Sequence, residues 1–455
     1  MVNRKTNWWH IFVLVIFSFF IGEGILFYTQ EFKKDLDSLM HFPLLKIPEQ
    51  KTFYLGFFEK VREDFVAEKI DFLEINLQEM KVKVYKNGLI EKEVTILAKG
   101  DSHGWGGSAV GLYKIITGGP SIFSAVANVY MPYAMNYYGK YYLHGEPYYY
   151  VGKKLISSVS GGCLRLKDED AKTIYDLVEL NMPVLVIDKE RDGYKYPSQV
   201  PGKLKPPEIS AQGFLVADLD SGYVFAKKDY QKQFPIASLT KLMTAIVVAE
   251  NIDLKESILV RDYMLKSYGN TEGLKVGERF QVVELFYPLL VESSNDAAEV
   301  LSYFLGRDRT IKLMQEKARA ILMQETNFVC PSGYEPENVS TAQDLFYLAR
   351  YILNNRFPIL EITKGKKVLS FGKINFDVEK LWNKNTFVDD PTFIGGKTGF
   401  IKSSKNTALF IFRFLDENNV ERNIAIILLS SQDVKTDTQK IYIWLLENYF
   451  NKAEL

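Results

Sequence analysis

The sequence predicts a membrane-anchored chain of two domains: an N-terminal transmembrane helix, then a mostly β domain, then an α+β domain. Three observations carry this. Apolar residues dominate 11–28, alternating aromatic and Gly-rich segments run to residue 187, and past a proline cluster strands are followed by helices and then by strands again. With 455 residues, 47% hydrophobic and 25% charged, the chain can bury two cores and does not have the composition of disorder. Lys plus Arg balances Asp plus Glu at 56 each, which leaves no basic footprint for nucleic acid or for a polybasic membrane contact.

Residues 1–30 read as a cytoplasmic tail and transmembrane anchor. Arg4 and Lys5 precede Trp8 and Trp9, residues 11–21 carry no charge, and the apolar run resumes after Glu23 at 25–28. The span suits the roughly 20 residues that cross a bilayer, with aromatic residues at its edges. A cleaved signal is the alternative, because its apolar core would stop just before Glu23, although no small-residue cleavage site follows. Either reading places the rest of the chain outside the cytoplasmic membrane. Residues 31–69 mix charged and apolar positions at helical spacing, broken at Pro43 and Pro48, and read as a stalk.

The β domain is expected over 70–188. "KVKVYKNGLIEKEVTIL" alternates around Asn87-Gly88, a strong hairpin signal; one helical stretch covers 168–180; "MPVLVI" closes the domain as a strand. Residues 189–209 contain Pro197, Pro201, Pro206 and Pro207 and read as a stiff linker. The α+β domain, 210–455, opens with "GFLVADLDSGYVFAKK", two strands turned at Ser221-Gly222. Helices fill 238–355, strands at 408–414 and 424–430 turn at "DENN", and a last helix follows.

Three motifs in the second domain carry chemistry. In "PIASLTKLMTAIVVAE", Ser238 and Lys241 lie three apart at the start of an apolar helix, so both face the same side. There the amine can deprotonate the hydroxyl, while the positive helix end favours the developing alkoxide. "VESSNDAAEV" adds Ser293 and Asn295, and "FIGGKTGF" adds Lys397, Thr398 and Gly399. The ordered set resembles that of penicillin-binding proteins and class A β-lactamases. With "SSNDAA" and "ENVSTAQDLFYLA", the chain from about residue 210 is similar to the low-molecular-weight penicillin-binding proteins, the serine D-alanyl-D-alanine carboxypeptidases. The resemblance implies a serine DD-peptidase/β-lactamase-like fold with nucleophile Ser238 and general base Lys241. Ser293 and Asn295 would assist proton transfer, and Lys397 and Thr398 would hold the substrate's carboxylate. The N–H groups of Ser238 and Phe400 would form the oxyanion hole. A class A β-lactamase, the competing reading within this domain, would need a second carboxylate base on a loop between the second and third motifs to hydrolyse its acyl-enzyme.

The chain has two cysteines, too few for a disulfide framework or a metal cluster. Cys330, in "NFVCPSGYEP", reads as a structural thiol. Cys163 follows two glycines in "SGGCLRL", and two histidines of the same domain could serve it as base, His144 and His103; His10 and His41 lie in the anchor and stalk. Bare composition favours a buried thiol and a core histidine. However, "LHG" followed by "SGGCLRL", with "IDFLEINLQEMKVKVYKNG" and "MPYAMNYYGKYYLHG", resembles the L,D-transpeptidase catalytic domain of the YkuD type. That resemblance implies Cys163 as nucleophile, His144 as base oriented by the Gly145 carbonyl, oxyanion donors at Gly162 and Cys163, and Arg165 at the pocket. The family's usual second histidine is Gly161 here, and its upstream Thr-Pro-x-Gly is altered to "SAVGLYKI".

Together the resemblances imply a bifunctional enzyme of bacterial peptidoglycan. Serine carboxypeptidase and cysteine L,D-transpeptidase sites would act on stem peptides, β-lactams would inhibit, and no metal or organic cofactor would be needed. Two alternatives remain open: a carboxypeptidase with a non-catalytic peptidoglycan-binding module, and a sensor of β-lactams or wall fragments that stays acylated.

Overall fold

The computed structural model describes residues 58–157, 159–196, 205–266, 273–368 and 377–450. The expected transmembrane helix, most of the expected stalk, and Pro197 and Pro201 lie outside these residues. Among the described residues, no helix is long and apolar enough to cross a membrane.

The first helix among the described residues, α1 (Phe58–Ala67), falls within the stretch read as a stalk. Phe58, Val61 and Phe65 recur at helical spacing and are buried, so this face packs into the β domain. Strands β1 (Phe72–Asn76), β2 (Lys81–Lys86) and β3 (Leu89–Thr95) follow. The β2–β3 turn is the expected hairpin, with Asn87 and Gly88 both left-handed, at φ 51° and 77°. The chain continues through β4 (Lys99–Gly100), β5 (Gly111–Lys114), β6 (Thr117–Ser124), β7 (Val129–Tyr138), β8 (Tyr141–His144), β9 (Val159–Ser160) and β10 (Leu164–Arg165). It closes with α2 (Asp168–Leu177) and β11 (Pro183–Ile187). One sheet has the order β3-β2-β1-β11-β5 and a second β10-β8-β7-β6, with β4 and β9 paired separately. β1 is buried at every position because it runs parallel to β11 at the centre of its sheet.

The second domain has β12 (Gly213–Asp218), β13 (Val224–Lys228), β14 (Phe234–Pro235), α3 (Thr240–Asn251), β15 (Ser257–Leu259), β16 (Arg279–Gln281), α4 (Asn295–Leu305) and α5 (Arg307–Ala320). These are followed by β17 (Val339–Ser340), α6 (Ala342–Asn355), α7 (Phe357–Thr363), β18 (Phe393–Ile401), β19 (Lys405–Leu415), β20 (Glu421–Ser431) and α8 (Val434–Asn448). Its antiparallel sheet, β13-β12-β20-β19-β18, joins the opening strands to the closing pair. β18 is an edge strand. α3 is apolar almost all round, and every residue from Thr240 to Glu250 is buried, which makes it the central helix of the domain.

All described residues belong to one compact unit, and a continuous apolar cluster crosses between the domains. Trp105 of the first domain packs on Phe286 of the second, with ring centres 5.1 Å apart. Beside it lies a closed charge cluster of wholly buried side chains: Glu250 of α3 pairs with Lys317 at 3.0 Å and with Arg356 at 2.8 Å. The cations also reach the β domain. Lys317 donates to the Tyr113 hydroxyl at 2.7 Å, and Arg356 donates to the Tyr141 hydroxyl and the Gly107 carbonyl, each at 2.7 Å. The first residues of the expected linker are packed too, Lys189 against Asp220 at 2.7 Å and Asp192 against Arg422.

Candidate active sites

At the serine, the chain leaves β14 through a 3-10 turn at Ala237–Leu239 that runs straight into α3, placing Ser238 at the helix start and Lys241 one turn on. Ala237 has φ 47° and Ser293 φ 68°, left-handed values that non-glycine residues hold only where packing imposes them, and both flank this site. Lys241 Nζ lies 2.9 Å from Ser238 Oγ, 2.7 Å from Asn295 Oδ1 and 2.7 Å from the Ser332 carbonyl. The two amide oxygens can only accept, so they occupy two N–H bonds, and a neutral amine then presents its lone pair to the Ser238 hydroxyl. Burial favours that neutral form by bringing Lys241 down to about 7.

Asn295 opens α4, whose first turn is capped by the Ser294 hydroxyl accepting from Ala297 N–H at 3.1 Å. β18 carries the third motif against the serine turn. A Cβ at Gly399 would lie 2.7 Å from Ser238 N, so only glycine allows this approach, and Thr407 Oγ1 of β19 donates to the Ile236 carbonyl at 3.1 Å. Lys397 is wholly buried, with Nζ donating to the Thr398 carbonyl at 2.8 Å. Burial, with Lys241 and Lys384 nearby, holds it well below the ordinary lysine range. Thr398 Oγ1 donates to the Lys384 carbonyl at 3.4 Å, and Phe400 is exposed.

The cysteine site sits on the β8–β10 pair. Leu164 lies opposite Leu143 and Arg165 opposite His144; one step earlier the same register sets Cys163 beside Tyr142, so Cys163, His144 and Arg165 share a face. His144 is buried, and its Nδ1 is 2.6 Å from the Gly145 carbonyl, an arrangement that leaves Nε2 as the free acceptor. Burial lowers His144 to about 4 and raises the Cys163 thiol, so the resting pair is neutral. The thiol donates to the Lys140 carbonyl at 3.7 Å. Gly162 has φ 115°, and a Cβ there would lie 2.3 Å from the Tyr141 ring, which makes glycine obligatory. Its N–H donates to Ser160 Oγ at 3.0 Å, and Ser160 in turn bonds the Cys163 carbonyl. Arg165 Nη1 donates to the Ser157 carbonyl at 3.0 Å. His103 is exposed, with its ring 6.0 Å from that of Phe357.

Gly161 is exposed, and a Cβ there would meet no atom within 4 Å. Gly161→His should therefore fold with a stability change within about 0.5 kcal/mol. If the missing side chain limits the cysteine, the variant should accelerate carbapenem acylation of Cys163 several-fold, as read by intact mass. An unchanged rate would show that Gly161 is not the limiting feature.

Nothing in the sequence singled out Ser332, which acts through its carbonyl, nor Lys140 and Tyr141, which ordinary turn and strand patterning explains. Cys330 is buried with its Sγ 3.8 Å from Ser332 Oγ, and its N–H donates to Asn338 Oδ1 at 3.1 Å.

A lysine-held serine at a helix start, beside an edge strand carrying Lys-Thr-Gly, defines a serine acyl-enzyme peptidase of the penicillin-binding class. The D-alanyl-D-alanine carboxypeptidase (peptidase S11) family model matches residues 201–427, and the L,D-transpeptidase catalytic domain (YkuD) model matches 70–186. The chain is 31% identical over 214 residues to D-alanyl-D-alanine carboxypeptidase DacB2 of Mycobacterium tuberculosis, covering 46% of this chain and 72% of that protein. It is 34% identical over 216 residues to a D-alanyl-D-alanine endopeptidase of Haemophilus influenzae, covering 46% of this chain and 72% of that one. A crystal structure of a D-alanyl-D-alanine carboxypeptidase from M. tuberculosis aligns with 25% identity and TM-score 0.47, covering 55% of this chain and 96% of that one. This chain belongs to the D-alanyl-D-alanine carboxypeptidase family and carries an L,D-transpeptidase catalytic domain ahead of its peptidase domain.

Proposed function

We propose that the chain trims and cross-links peptidoglycan stem peptides at two acyl-enzyme sites, anchored by its N-terminal helix with both domains outside the cytoplasmic membrane. The three contacts of Lys241 carry the serine half of this proposal. Ser238 Oγ attacks the carbonyl between the two terminal D-Ala residues as its proton passes to Lys241 Nζ. The amide bond breaks, the departing D-Ala amine takes that proton, and water then hydrolyses the ester. Lys397 and Thr398 would receive the terminal carboxylate, whose arrival offsets the burial that suppresses the Lys397 charge. The open edge of β18 suits an extended peptide. A β-lactam would acylate Ser238 by the same attack.

The product, a stem ending in one D-Ala, is an acyl donor for a cysteine. Cys163 would pass its proton to His144 Nε2 and form a thioester with loss of that D-Ala, and an amine of a neighbouring stem would then take the acyl group. The docked domains fix the spacing between the sites, so the proline segment does not set it. A second reading has one observation in its favour. With the Gly162 N–H engaged by Ser160 and no histidine at 161, the first domain would bind peptidoglycan without turning it over.

Mass spectrometry of the full chain incubated with disaccharide-pentapeptide, and separately with a carbapenem, tests both. We expect D-Ala loss that requires Ser238 and a carbapenem adduct or cross-linked dimer that requires Cys163. D-Ala loss surviving Ser238→Ala would sink the serine assignment. An inert Cys163 beside a working Ser238 would favour the binding module.

A further inference from the structure

The turn between β7 and β8 touches both the cysteine and the other domain. Its Lys140 carbonyl accepts the Cys163 thiol at 3.7 Å, while its Nζ crosses the interface to donate to the Ala249 carbonyl at 2.9 Å and the Ile252 carbonyl at 3.0 Å. Those carbonyls belong to the C-terminal end of α3, where a cation is favoured both by the free oxygens and by the helix dipole. Gly139 lies against the same helix end, since a Cβ there would come within 2.9 Å of Asn251 Oδ1 and 3.1 Å of the Glu250 carbonyl. The next residue, Tyr141, is wholly buried, has its ring under Gly162 and its hydroxyl held by Arg356 of the second domain. Lys140 and Tyr141 thus each have one end on the cysteine loop and the other on the peptidase domain.

We propose that the carboxypeptidase domain completes the cysteine site, with Lys140 as the positioning residue that clamps the thiol-bearing loop to the C-terminal end of α3. This rests on Cys163 being the reactive thiol of the first domain. The helix that begins at the serine site therefore ends as the support of the cysteine site. Its 12 residues span about 18 Å from the serine turn to the carbonyls that hold Lys140. Two carbonyls of α3 fix the Lys140 ammonium while its own carbonyl holds the thiol, and the lysine charge favours the thiolate. Burial raises the thiol, and the Tyr142 N–H, Arg165 and Lys140 each draw it back. The phenols of Tyr137, Tyr141 and Tyr142 complete the surroundings, with His144 on the shared face and Arg356 behind Tyr141. Lys140 itself is brought down to about 8 by burial and by Arg356, so it remains mostly protonated at neutral pH.

The test is the rate of iodoacetamide alkylation of Cys163 in the full chain from pH 6 to 10, mapped by peptide mass to separate it from Cys330. Fluorescent-penicillin labelling of Ser238 serves as the control for folding. Lys140→Met removes a charge that favours the thiolate, so the rate–pH profile should move to higher pH. Alkylation at pH 7.5 should fall about three- to tenfold, the change in thiolate carried by half to one pKa unit. Lys140→Arg, which keeps charge and donors, should restore the rate to within about twofold. Tyr141→Phe, which keeps the ring under Gly162 but loses the Arg356 bond, should slow alkylation in the same direction with Ser238 labelling unchanged. A Lys140→Met rate equal to or above that of the native chain, or a loss that Lys140→Arg does not repair, would overturn the proposal. Alkylation reads the thiol whether or not the domain turns over substrate, so a wild type that is inert to carbapenem yet shows the Lys140 dependence would count against the transpeptidase reading alone.

Discussion

Lys241→Ala should abolish acylation of Ser238, slowing fluorescent-penicillin labelling by about a thousandfold, the contribution of a well-placed general base. Nζ is 2.7 Å from each of two oxygens that can only accept and 2.9 Å from the Ser238 hydroxyl, so the amine has one role left, which is to take that proton. Lys241→Arg should fare no better, because a guanidinium does not give up its proton in the range where the reaction runs. The sign of the pH dependence follows from the burial that lowers Lys241 to about 7. Below that value the amine is protonated and cannot act as base. The acylation rate should therefore rise with pH up to about 7 and then level off. A Lys241→Arg chain within tenfold of native, or a native rate falling as pH rises from 6 to 8, would remove Lys241 from the role.

The second large effect concerns stability. Glu250→Ala should cost about 3–5 kcal/mol in denaturant unfolding, the usual consequence of removing one partner from a buried ion pair. Burial pushes the Glu250 carboxyl up, and Lys317 and Arg356 outweigh it, so the group is charged and neutralises two cations that are themselves wholly buried. Without it, Lys317 and Arg356 face each other with only Tyr351, Tyr113, Tyr141 and backbone oxygens as partners. These contacts join the two domains, so proteolysis between them should quicken in the same variant. A loss below about 1 kcal/mol would mean that the cluster relaxes or hydrates once broken, contrary to its complete burial.

Much of the peptidase site was legible because its spacing rules are local. Ser238 and Lys241 meet because residues three apart on a helix share a face, and the Asn87-Gly88 turn forms because both residues tolerate left-handed backbone. The order of the three motifs was equally readable. In the first domain, the pairing of His144 with the Gly145 carbonyl was what the family resemblance implied, and the two atoms lie 2.6 Å apart. Less legible was the region before residue 70. Helical spacing at 58–67 is compatible with a stalk or with a docked helix, and the burial of Phe58, Val61 and Phe65 is visible only once β11 is placed beside them.

The sequence by itself nominated the side chains proposed for the chemistry, the serine set by its short helical spacing and ordered motifs and the cysteine set by family resemblance. Only the tertiary structure decided what holds them. The Ser332 carbonyl on Lys241, the α3 carbonyls on Lys140 and the Arg356–Tyr141 bond come from segments far apart in the chain, and two of these three use backbone oxygens. Every residue has a carbonyl, so no residue type announces which one will be used; long-range packing makes that choice when the two domains close on a single core.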